Sequence, residues 1–427
     1  MRDKREPFEL SATEALHSIA TDELTSVAWI ESCRERIDAR EPDIQAWSYL
    51  NPDAVAQTTT RVDQGHGPSI PVGVKDIIDV YGMPTMMGTD FHDDTPVSRE
   101  GGSVAIMRAA GCLFMGKTVT TELGHRHPGP TRNPHNLAHT PGGSSSGSAA
   151  AVADFMVPLC LGTQTTASVI RPAAFCGIVG YKPTYGDFDK SGILANAPTM
   201  DTLGIMARSI DDLGLLRSIL LEEARREVTD VSLSDINFAL LDVHPWNTAE
   251  AETRRVIEAL ADDMVRAGAR PVDLAIGDQV KRLIELHRLI SGYEFGRSIA
   301  YERTRHLNQL STVLREGRLA DGREVDSRRY PDLIREVAAL RATLAEALKV
   351  VDIMISPSAA GPAPASLEST GDAAFSAAWS LAGNPVITLP LFKAADTAMP
   401  IGCQLIAGFG EDERLLNVSQ AIMARFQ

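Results

Sequence analysis

A lysine and two serine-bearing segments carry the residue types that could perform hydrolytic chemistry. Lys75 ends an apolar run, Pro71–Lys75, where solvation is poor. Desolvation disfavours the ammonium form and lowers the pKa of a lysine, so a buried lysine can act as a base at neutral pH. Further along, a Gly- and Ser-rich block spans Thr140–Ser148, and Ser168 lies within Gly162–Gly177. Each segment alone could be an ordinary turn or strand end, so the chemistry depends on their meeting in space.

One segment matches the spelling of a phosphate-binding loop. Gly111–Thr118 fits G-x4-GK[ST], a pattern in which exposed backbone N–H groups cradle phosphates. Its four middle residues are large or apolar, and the preceding residues, Val104–Ala110, favour a helix where such a loop needs a strand. We therefore expect a buried structural strand here and no bound nucleotide.

Two further patterns indicate catalytic or metal sites only weakly. Gly143–Gly147 spells G-x-S-x-G, but that nucleophile elbow directly follows a strand, whereas residues 133–141 are typical of a loop. His125 and His127 could ligate a metal, yet no third ligand of clear spacing accompanies them. We expect His125 and His127 to be polar loop residues and not to bind a metal.

Taken together, Lys75, Ser144 and Ser168 resemble the amidase signature family of Ser–Ser–Lys hydrolases. The two serines are 24 residues apart, as in that family, and the lysine lies upstream in a Gly-Val-Lys-Asp context. Other segments similar to that family are Asn133-Pro134, Gly180–Gly186, Asp201–Gly204, Gly383–Pro390 and Pro400–Gln404. The resemblance covers nearly the whole chain and is weakest over residues 215–345.

The resemblance implies an α/β protein with the amidase signature fold, in which a large mixed β-sheet core is flanked by helices on both faces. A single amidase domain would span residues 1–427. Its parts would be an N-terminal helical arm (1–45), a signature core (65–210), a helical substrate-shaping segment (211–350) and a C-terminal αβ part (351–427). In the arm, Ser11-x-x-Glu14 fits a capping box, and Thr21 or Asp22 could begin a second helix.

The resemblance also implies a mechanism. Neutral Lys75 would accept a proton from Ser144, which accepts one from Ser168, and Ser168 would attack the amide carbonyl to form an acyl-enzyme. The Gly143–Ser144 peptide bond is expected to be cis, with Gly143 bordering the substrate. An oxyanion hole would be formed by backbone N–H groups of Thr165, Thr166, Ala167 and Ser168. No metal or organic cofactor is required.

Three departures from the usual family pattern bear on the substrate. Thr166 and Ala167 stand where glycines are common, and Ser146 replaces a glycine in the first block. Arg171 lies three residues after Ser168, a spacing that resembles the malonamidase branch, which handles small amides bearing a carboxylate. Arg171 could bind a substrate carboxylate through two hydrogen bonds, or it could be a structural arginine paired with an internal acid.

We therefore expect an amidohydrolase that cleaves the C–N bond of a small linear amide, with carboxylate-bearing amides among the candidates. An alternative is the glutaminase-type subunit of a tRNA-dependent amidotransferase, which would need partner subunits. The chain is somewhat short and strongly acidic for that role. A nucleotide-binding protein built on Gly111–Thr118 is a third hypothesis.

Composition limits the partners and the location. The 427 residues include 41 Lys and Arg against 56 Asp and Glu, a net charge of −15, which disfavours nonspecific binding to nucleic acid or anionic membranes. The five cysteines are widely spaced with no CxxC pair, as expected for free thiols in a reducing cytosol. Neither a secretory signal nor a long apolar run is visible. We expect a cytoplasmic homo-oligomer, a dimer, acting on a small molecule.

Overall fold

Short apolar stretches form one mixed β-sheet in the computed structural model, which describes residues 5–229 and 231–426. Its strands are β1 (Trp47–Leu50), β2 (Ile70–Lys75), β3 (Cys112–Thr118), β4 (Leu159–Gln164), β5 (Val179–Lys182), β6 (Thr202–Ala207), β7 (Asn237–Leu240), β8 (Arg270–Pro271), β9 (Ile353–Pro357), β10 (Val386–Lys393) and β11 (Pro400–Ile406). Their order is β1-β3-β2-β4-β6-β5-β10-β11-β9-β7-β8. The neighbours of β2 and of β7 run parallel to them, whereas the other pairs are antiparallel.

Helices connect the strands. They are α1 (Ala12–Ala20), α2 (Ser26–Ile44), α3 (Ala54–Asp63), α4 (Gly102–Ala109), α5 (Ser146–Ala153), α6 (Ile170–Phe175), α7 (Ile210–Leu220), α8 (Ala251–Arg266), α9 (Gly277–Ser298), α10 (Ala300–Arg305), α11 (Leu319–Arg323), α12 (Tyr330–Ala347), α13 (Ala374–Ala382) and α14 (Asp412–Phe426). Within the described ranges, none of these helices combines the length and the apolar character needed to cross a membrane.

The central strands are buried on both faces. Every residue of β2, β4 and β6 is buried. Since successive side chains of a strand point to opposite faces of the sheet, complete burial means that both faces are covered. The fold is therefore α/β, with a large mixed sheet covered by helices on both sides, as the resemblance predicts.

The first helix of the N-terminal arm starts where the sequence predicts. Ser11 Oγ accepts a hydrogen bond from Glu14 N at 3.2 Å, and the Glu14 carboxylate accepts one from Ser11 N at 2.9 Å, which completes the capping box. Asp212 in α7 accepts the backbone N–H groups of Ala12 and Thr13, both at 2.9 Å. This carboxylate fastens the start of α1 to the core of the protein.

The predicted start of the second helix is wrong. Asp22 adopts a left-handed conformation with φ of 60°, which belongs to a turn and not to a helix start. The helix begins instead at Ser26, and the Thr25 side chain caps it by accepting from Ala28 N at 3.1 Å. Several residues in this stretch could cap a helix, and packing selects among them.

Two neighbouring parallel strands bring the candidate site together. β2 pairs in parallel with β4, so their carboxyl ends lie at the same edge of the sheet. Lys75 is the last residue of β2, and Thr163 lies near the end of β4. The Ser-rich block enters α5, which packs against both strands. The register of the sheet therefore places residues from three distant segments side by side.

Candidate active site

Lys75 is a buried lysine whose hydrogen-bond acceptors, among the residues that the structure describes, are both hydroxyl groups. Its side chain is fully buried, and Nζ donates to Ser144 Oγ at 2.7 Å and to Thr163 Oγ1 at 2.8 Å. Burial lowers the pKa of Lys75 to about 7, and the Asp201 carboxylate opposes this fall. A lysine with such a pKa is about half neutral at pH 7, which suits a general base.

Ser144 is held in a tight turn before α5. The Gly143–Ser144 peptide bond is cis, as the resemblance predicts, and Ser144 is almost completely buried. The Ser144 carbonyl accepts from Thr121 N at 3.2 Å, and Ser146 Oγ donates to the Gly142 carbonyl at 2.8 Å. The turn is therefore held by the Thr121 backbone and the Ser146 side chain, and the Ser144 hydroxyl accepts from the lysine.

Ser168 ends the loop of residues 165–168, here called the nucleophile loop, between β4 and α6. Ser168 is partly exposed, and its hydroxyl forms no hydrogen bond to any residue that the structure describes. Its carbonyl accepts from Ser145 N at 3.3 Å, which ties the two serine segments together next to Ser144. The structure thus brings Lys75 and Ser144 into contact and leaves the Ser168 hydroxyl available to a ligand.

The nucleophile loop is anchored through its carbonyls and side chains, not through its amides. Thr165 Oγ1 donates to Asp201 at 2.6 Å, the Thr166 carbonyl accepts from Ser380 Oγ at 2.8 Å, and the Thr165 carbonyl lies 2.9 Å from His287 Nε2. In the part of the chain that the structure describes, no backbone N–H of residues 165–168 donates to another residue. The predicted oxyanion donors Thr165, Thr166, Ala167 and Ser168 therefore have their N–H groups free.

Arg171 contacts the backbone around Ser144. The side chain is 4% exposed, and its two Nη atoms donate at 2.6 Å to the carbonyls of Gly143 and Gly371. Burial lowers the pKa of Arg171 to about 9, with a further contribution from the positive charge of Arg126. The buried Nε has no partner among the described residues. The internal acid that a structural arginine was expected to pair with is not in contact; the Arg171 partners are backbone carbonyls.

Comparison with known proteins decides the family. The sequence model of the family described as Amidase matches residues 28–416. This chain belongs to the Amidase family. A glutamyl-tRNA(Gln) amidotransferase subunit from Solidesulfovibrio magneticus is 28% identical over 97% of this chain and 96% of that protein. The protein of the same name from Salinibacter ruber is 33% identical over 61% of this chain, and the match spans about half (54%) of that relative's length.

Solved structures agree with the family assignment. A crystal structure of an amidase superposes with a TM-score of 0.87 at 28% identity, covering 98% of this chain and all of that chain (100%). A peptide amidase from Stenotrophomonas maltophilia superposes with a TM-score of 0.82 at 25% identity, covering 98% of this chain and 97% of that chain. The family and these neighbours support an enzyme that acts on carbon–nitrogen bonds.

The segment that resembles a phosphate loop is an interior strand of the sheet. All of this segment except Gly111 forms β3 (Cys112–Thr118), and Lys117 is fully buried. Lys117 Nζ lies 3.0 Å from the Asp76 carboxylate and donates to the Pro84 carbonyl and Thr85 Oγ1, each at 2.8 Å. Its hydrogen-bonding capacity is therefore used within the core, and the strand prediction is confirmed.

The two histidines considered as metal ligands, His125 and His127, lie on the loop that follows β3. No group of three or more His, Cys, Asp or Glu residues within residues 5–229 and 231–426 is arranged to hold a metal ion. The His125 ring packs against Phe295 with 5.6 Å between ring centroids. Burial lowers the pKa of His125 well below its ordinary value, so the ring is neutral.

Sequence reasoning missed Thr163 and Asp201 as parts of the site. Thr163 supplies the second acceptor for the Lys75 ammonium group, and Asp201 fixes Thr165 at the start of the nucleophile loop. Both lie in segments that resemble the family, Gly162–Gly177 and Asp201–Gly204, which was the only signal the sequence offered.

Proposed function

We propose that this Amidase family member hydrolyses the C–N bond of a small linear amide through an acyl-enzyme on Ser168. The observation that carries this proposal is the 2.7 Å hydrogen bond between buried Lys75 Nζ and Ser144 Oγ, next to a loop whose Ser168 hydroxyl is free. A buried amine with a pKa of about 7 and no contacting carboxylate is suited to remove a proton from a hydroxyl.

The reaction proceeds in two halves. Neutral Lys75 accepts the Ser144 proton while Ser144 accepts the Ser168 proton, and Ser168 Oγ attacks the amide carbonyl carbon. The free N–H groups of residues 165–168 stabilise the oxyanion. Ser144 then delivers a proton to the leaving nitrogen, which departs as ammonia or an amine. Water, deprotonated by the same relay, attacks the acyl-enzyme and releases the acid and the free Ser168 hydroxyl.

The space beside the relay favours a small substrate. A cavity of about 220 Å³ is lined by Thr163 and Thr165 together with apolar residues such as Leu194 and Leu203. Thr166 and buried Ala167 add side chains to the neighbouring loop at positions where glycines are common in the family. Such a volume accommodates a short linear amide and not a folded peptide.

Arg171 fits a positioning role in this mechanism. Both of its Nη atoms already donate to backbone carbonyls, and one of these belongs to Gly143, next to Ser144. The Arg171 side chain thereby fixes the carbonyl group of Gly143, which borders the site. We expect Arg171→Ala to reduce hydrolysis of acidic and neutral amides by similar factors, whereas a direct carboxylate contact would make the loss selective for acidic amides.

The decisive experiment replaces Ser168 with alanine and measures ammonia release from short aliphatic amides. We expect a loss of about 10⁴-fold or more in kcat, because removal of a nucleophile leaves only binding and oxyanion stabilisation. Ser234→Ala is the matched control, because it removes an exposed serine hydroxyl that bonds only Ser232 among the described residues, and it should keep activity. Undiminished hydrolysis by the Ser168→Ala protein would refute the proposal.

A second candidate is the glutaminase-type subunit of a tRNA-dependent amidotransferase. It is favoured by the relatives named as glutamyl-tRNA(Gln) amidotransferase subunits, one of which matches 97% of this chain. In that case the protein would purify with further subunits, and glutamine would be hydrolysed far faster than other short amides. A homogeneous preparation that hydrolyses simple amides without partners would exclude this role.

A further inference from the structure

Gln164 is a buried glutamine at the end of β4, directly before the nucleophile loop. Its Oε1 accepts from the backbone N–H groups of Val169 at 3.0 Å and Ile170 at 3.1 Å. These N–H groups belong to the two residues that follow Ser168. A single side chain therefore bridges the two ends of the loop and fixes the distance between them.

The amide nitrogen of Gln164 extends this link to α13. Nε2 donates to Ser380 Oγ at 3.1 Å, and Ser380 Oγ donates to the Thr166 carbonyl at 2.8 Å. A carbonyl can only accept, so the single hydroxyl proton of Ser380 points to Thr166, and the hydroxyl oxygen accepts from Gln164. The direction of every hydrogen bond in this chain is thus fixed. Glutamine suits the position because it offers an acceptor and a donor on one rigid group, and both are used.

The Thr166 carbonyl and the Ala167 N–H belong to one peptide unit. This peptide bond is trans, so its carbonyl and its N–H point in opposite directions. Because Ser380 holds the carbonyl on the side of α13, the Ala167 N–H points away from that helix. In the same way, the Thr165 carbonyl lies 2.9 Å from His287 Nε2 on α9, which directs the Thr166 N–H away from α9. Neither N–H donates to any of the described residues, so both are available to a ligand.

We propose that Gln164 and Ser380 are positioning residues that set the direction of the Ala167 N–H as an oxyanion donor. This inference rests on the proposed hydrolysis at Ser168. A donor stabilises an oxyanion most when it is already aimed at the place where the charge develops. Loss of the link frees the peptide between Thr166 and Ala167 to rotate. This rotation weakens binding of the transition state and leaves binding of the neutral amide unchanged.

The first test measures kcat and KM for butyramide hydrolysis. Gln164→Met keeps the length of the side chain and removes its acceptor and its donor, whereas Ser380→Ala removes only a hydroxyl. We expect kcat to fall about 10- to 100-fold in Gln164→Met and about 10-fold in Ser380→Ala, with KM changed less than about threefold. The double variant should lose less than the product of the single losses, because both act on the same carbonyl. Unchanged kcat in both single variants, or a loss that lies mainly in KM, would overturn the inference.

Gln404→Met is the matched control for a general loosening of the core. Gln404 is also fully buried. Its side chain accepts from Ser376 Oγ at 3.0 Å and donates to Ser356 Oγ at 2.8 Å and to the Phe375 carbonyl at 2.9 Å, without contacting the nucleophile loop. We expect the urea midpoints of the two methionine variants to fall by similar amounts and only Gln164→Met to lose kcat. A matching loss of kcat in Gln404→Met would contradict a specific positioning role.

A labelling measurement separates this inference from the proposed hydrolysis. A small alkyl fluorophosphonate forms a bond between Ser168 Oγ and phosphorus, with the hydroxyl proton passing to Ser144 and fluoride leaving, and its phosphoryl oxygen needs the same N–H groups. We expect the labelling rate, followed by mass spectrometry, to fall about 10-fold in Gln164→Met and to stay within about threefold in Gln404→Met. If labelling follows this pattern but no amide is hydrolysed, the positioning role stands and the hydrolysis is wrong. If amides are hydrolysed and both variants are labelled equally fast, the hydrolysis stands and the positioning role is wrong.

Discussion

Replacing Lys75 with methionine should abolish hydrolysis and yet stabilise the folded protein at neutral pH. The fall in the pKa of Lys75 from 10.5 to about 7 is caused by burial. At 1.36 kcal/mol per pH unit, it corresponds to roughly 5 kcal/mol of destabilisation while the lysine is charged. Methionine removes this penalty, but it leaves the hydroxyls of Ser144 and Thr163 without a donor, at about 1 kcal/mol each. The net gain at pH 6 is therefore about 3 kcal/mol.

The sign of the pH dependence follows from proton counting. Between pH 7 and 10.5 the unfolded chain keeps the Lys75 proton and the folded protein has lost it, so the stability of the native enzyme rises with pH across this window. Below pH 7 both states are protonated and the full penalty applies. The advantage of the Lys75→Met protein is therefore largest below pH 7 and shrinks as the pH approaches 10.5.

Urea unfolding midpoints of the two proteins between pH 6 and 9.5, with ammonia release measured in parallel, check this prediction. Lys182→Met is the matched control, because burial also lowers the pKa of Lys182 to about 7 and, within residues 5–229 and 231–426, its Nζ donates only to the Pro183 carbonyl, at 2.8 Å. It should show the same trend in stability and keep its activity. The reasoning is refuted if Lys75→Met remains active, or if its stability gain does not change with pH while that of the control does.

Three other substitutions probe the site and its supports. Thr163→Val should move the acid limb of the kcat/KM profile below pH 7, because it removes a hydroxyl that accepts from the Lys75 ammonium group; a profile unchanged in position would contradict the assigned contact. Gly147→Ala should lower the urea midpoint by an amount equivalent to about 1–3 kcal/mol, because the new Cβ would overlap the backbone atoms of Ala46 and Val119. Gly67→Ala has open space around its Cβ and should leave the midpoint unchanged. Asp212→Ala should cost about 2–3 kcal/mol and expose the N-terminal arm to limited proteolysis, because two backbone N–H groups at the start of α1 lose their acceptor.

Local chemistry made parts of the fold predictable. The capping box at Ser11 and Glu14 needs only residues three positions apart, and it is present. The start of α2 was misjudged because Thr21, Asp22 and Thr25 are all acceptable caps, and the choice depends on a left-handed turn at Asp22 that the sequence does not reveal. Capping preferences are worth about 1 kcal/mol, which tertiary packing can override.

The candidate site was predictable where motifs specify it and unpredictable where distant segments meet. Lys75 and Ser144 are 69 residues apart and are in contact, as the resemblance implies. The role of Thr163 depends on the parallel pairing of β2 with β4, which no local pattern encodes. Arg171 was expected to bind either a substrate or an acid, and only the folded backbone brings the Gly143 and Gly371 carbonyls within its reach.

Comparison of the buried lysines shows why only one of them is suited to act as a base. Lys117 lies on β3, adjacent to the strand of Lys75, and is equally buried, but the Asp76 carboxylate at 3.0 Å stabilises its ammonium form. Lys182 donates to a backbone carbonyl, which has no proton to give. Lys117 also contacts a hydroxyl, that of Thr85, but its charge is held by Asp76. Among these three, Lys75 alone combines contact with a hydroxyl and the lack of a contacting carboxylate. Burial lowers the pKa of all three, and the neighbouring group determines whether that fall can serve catalysis.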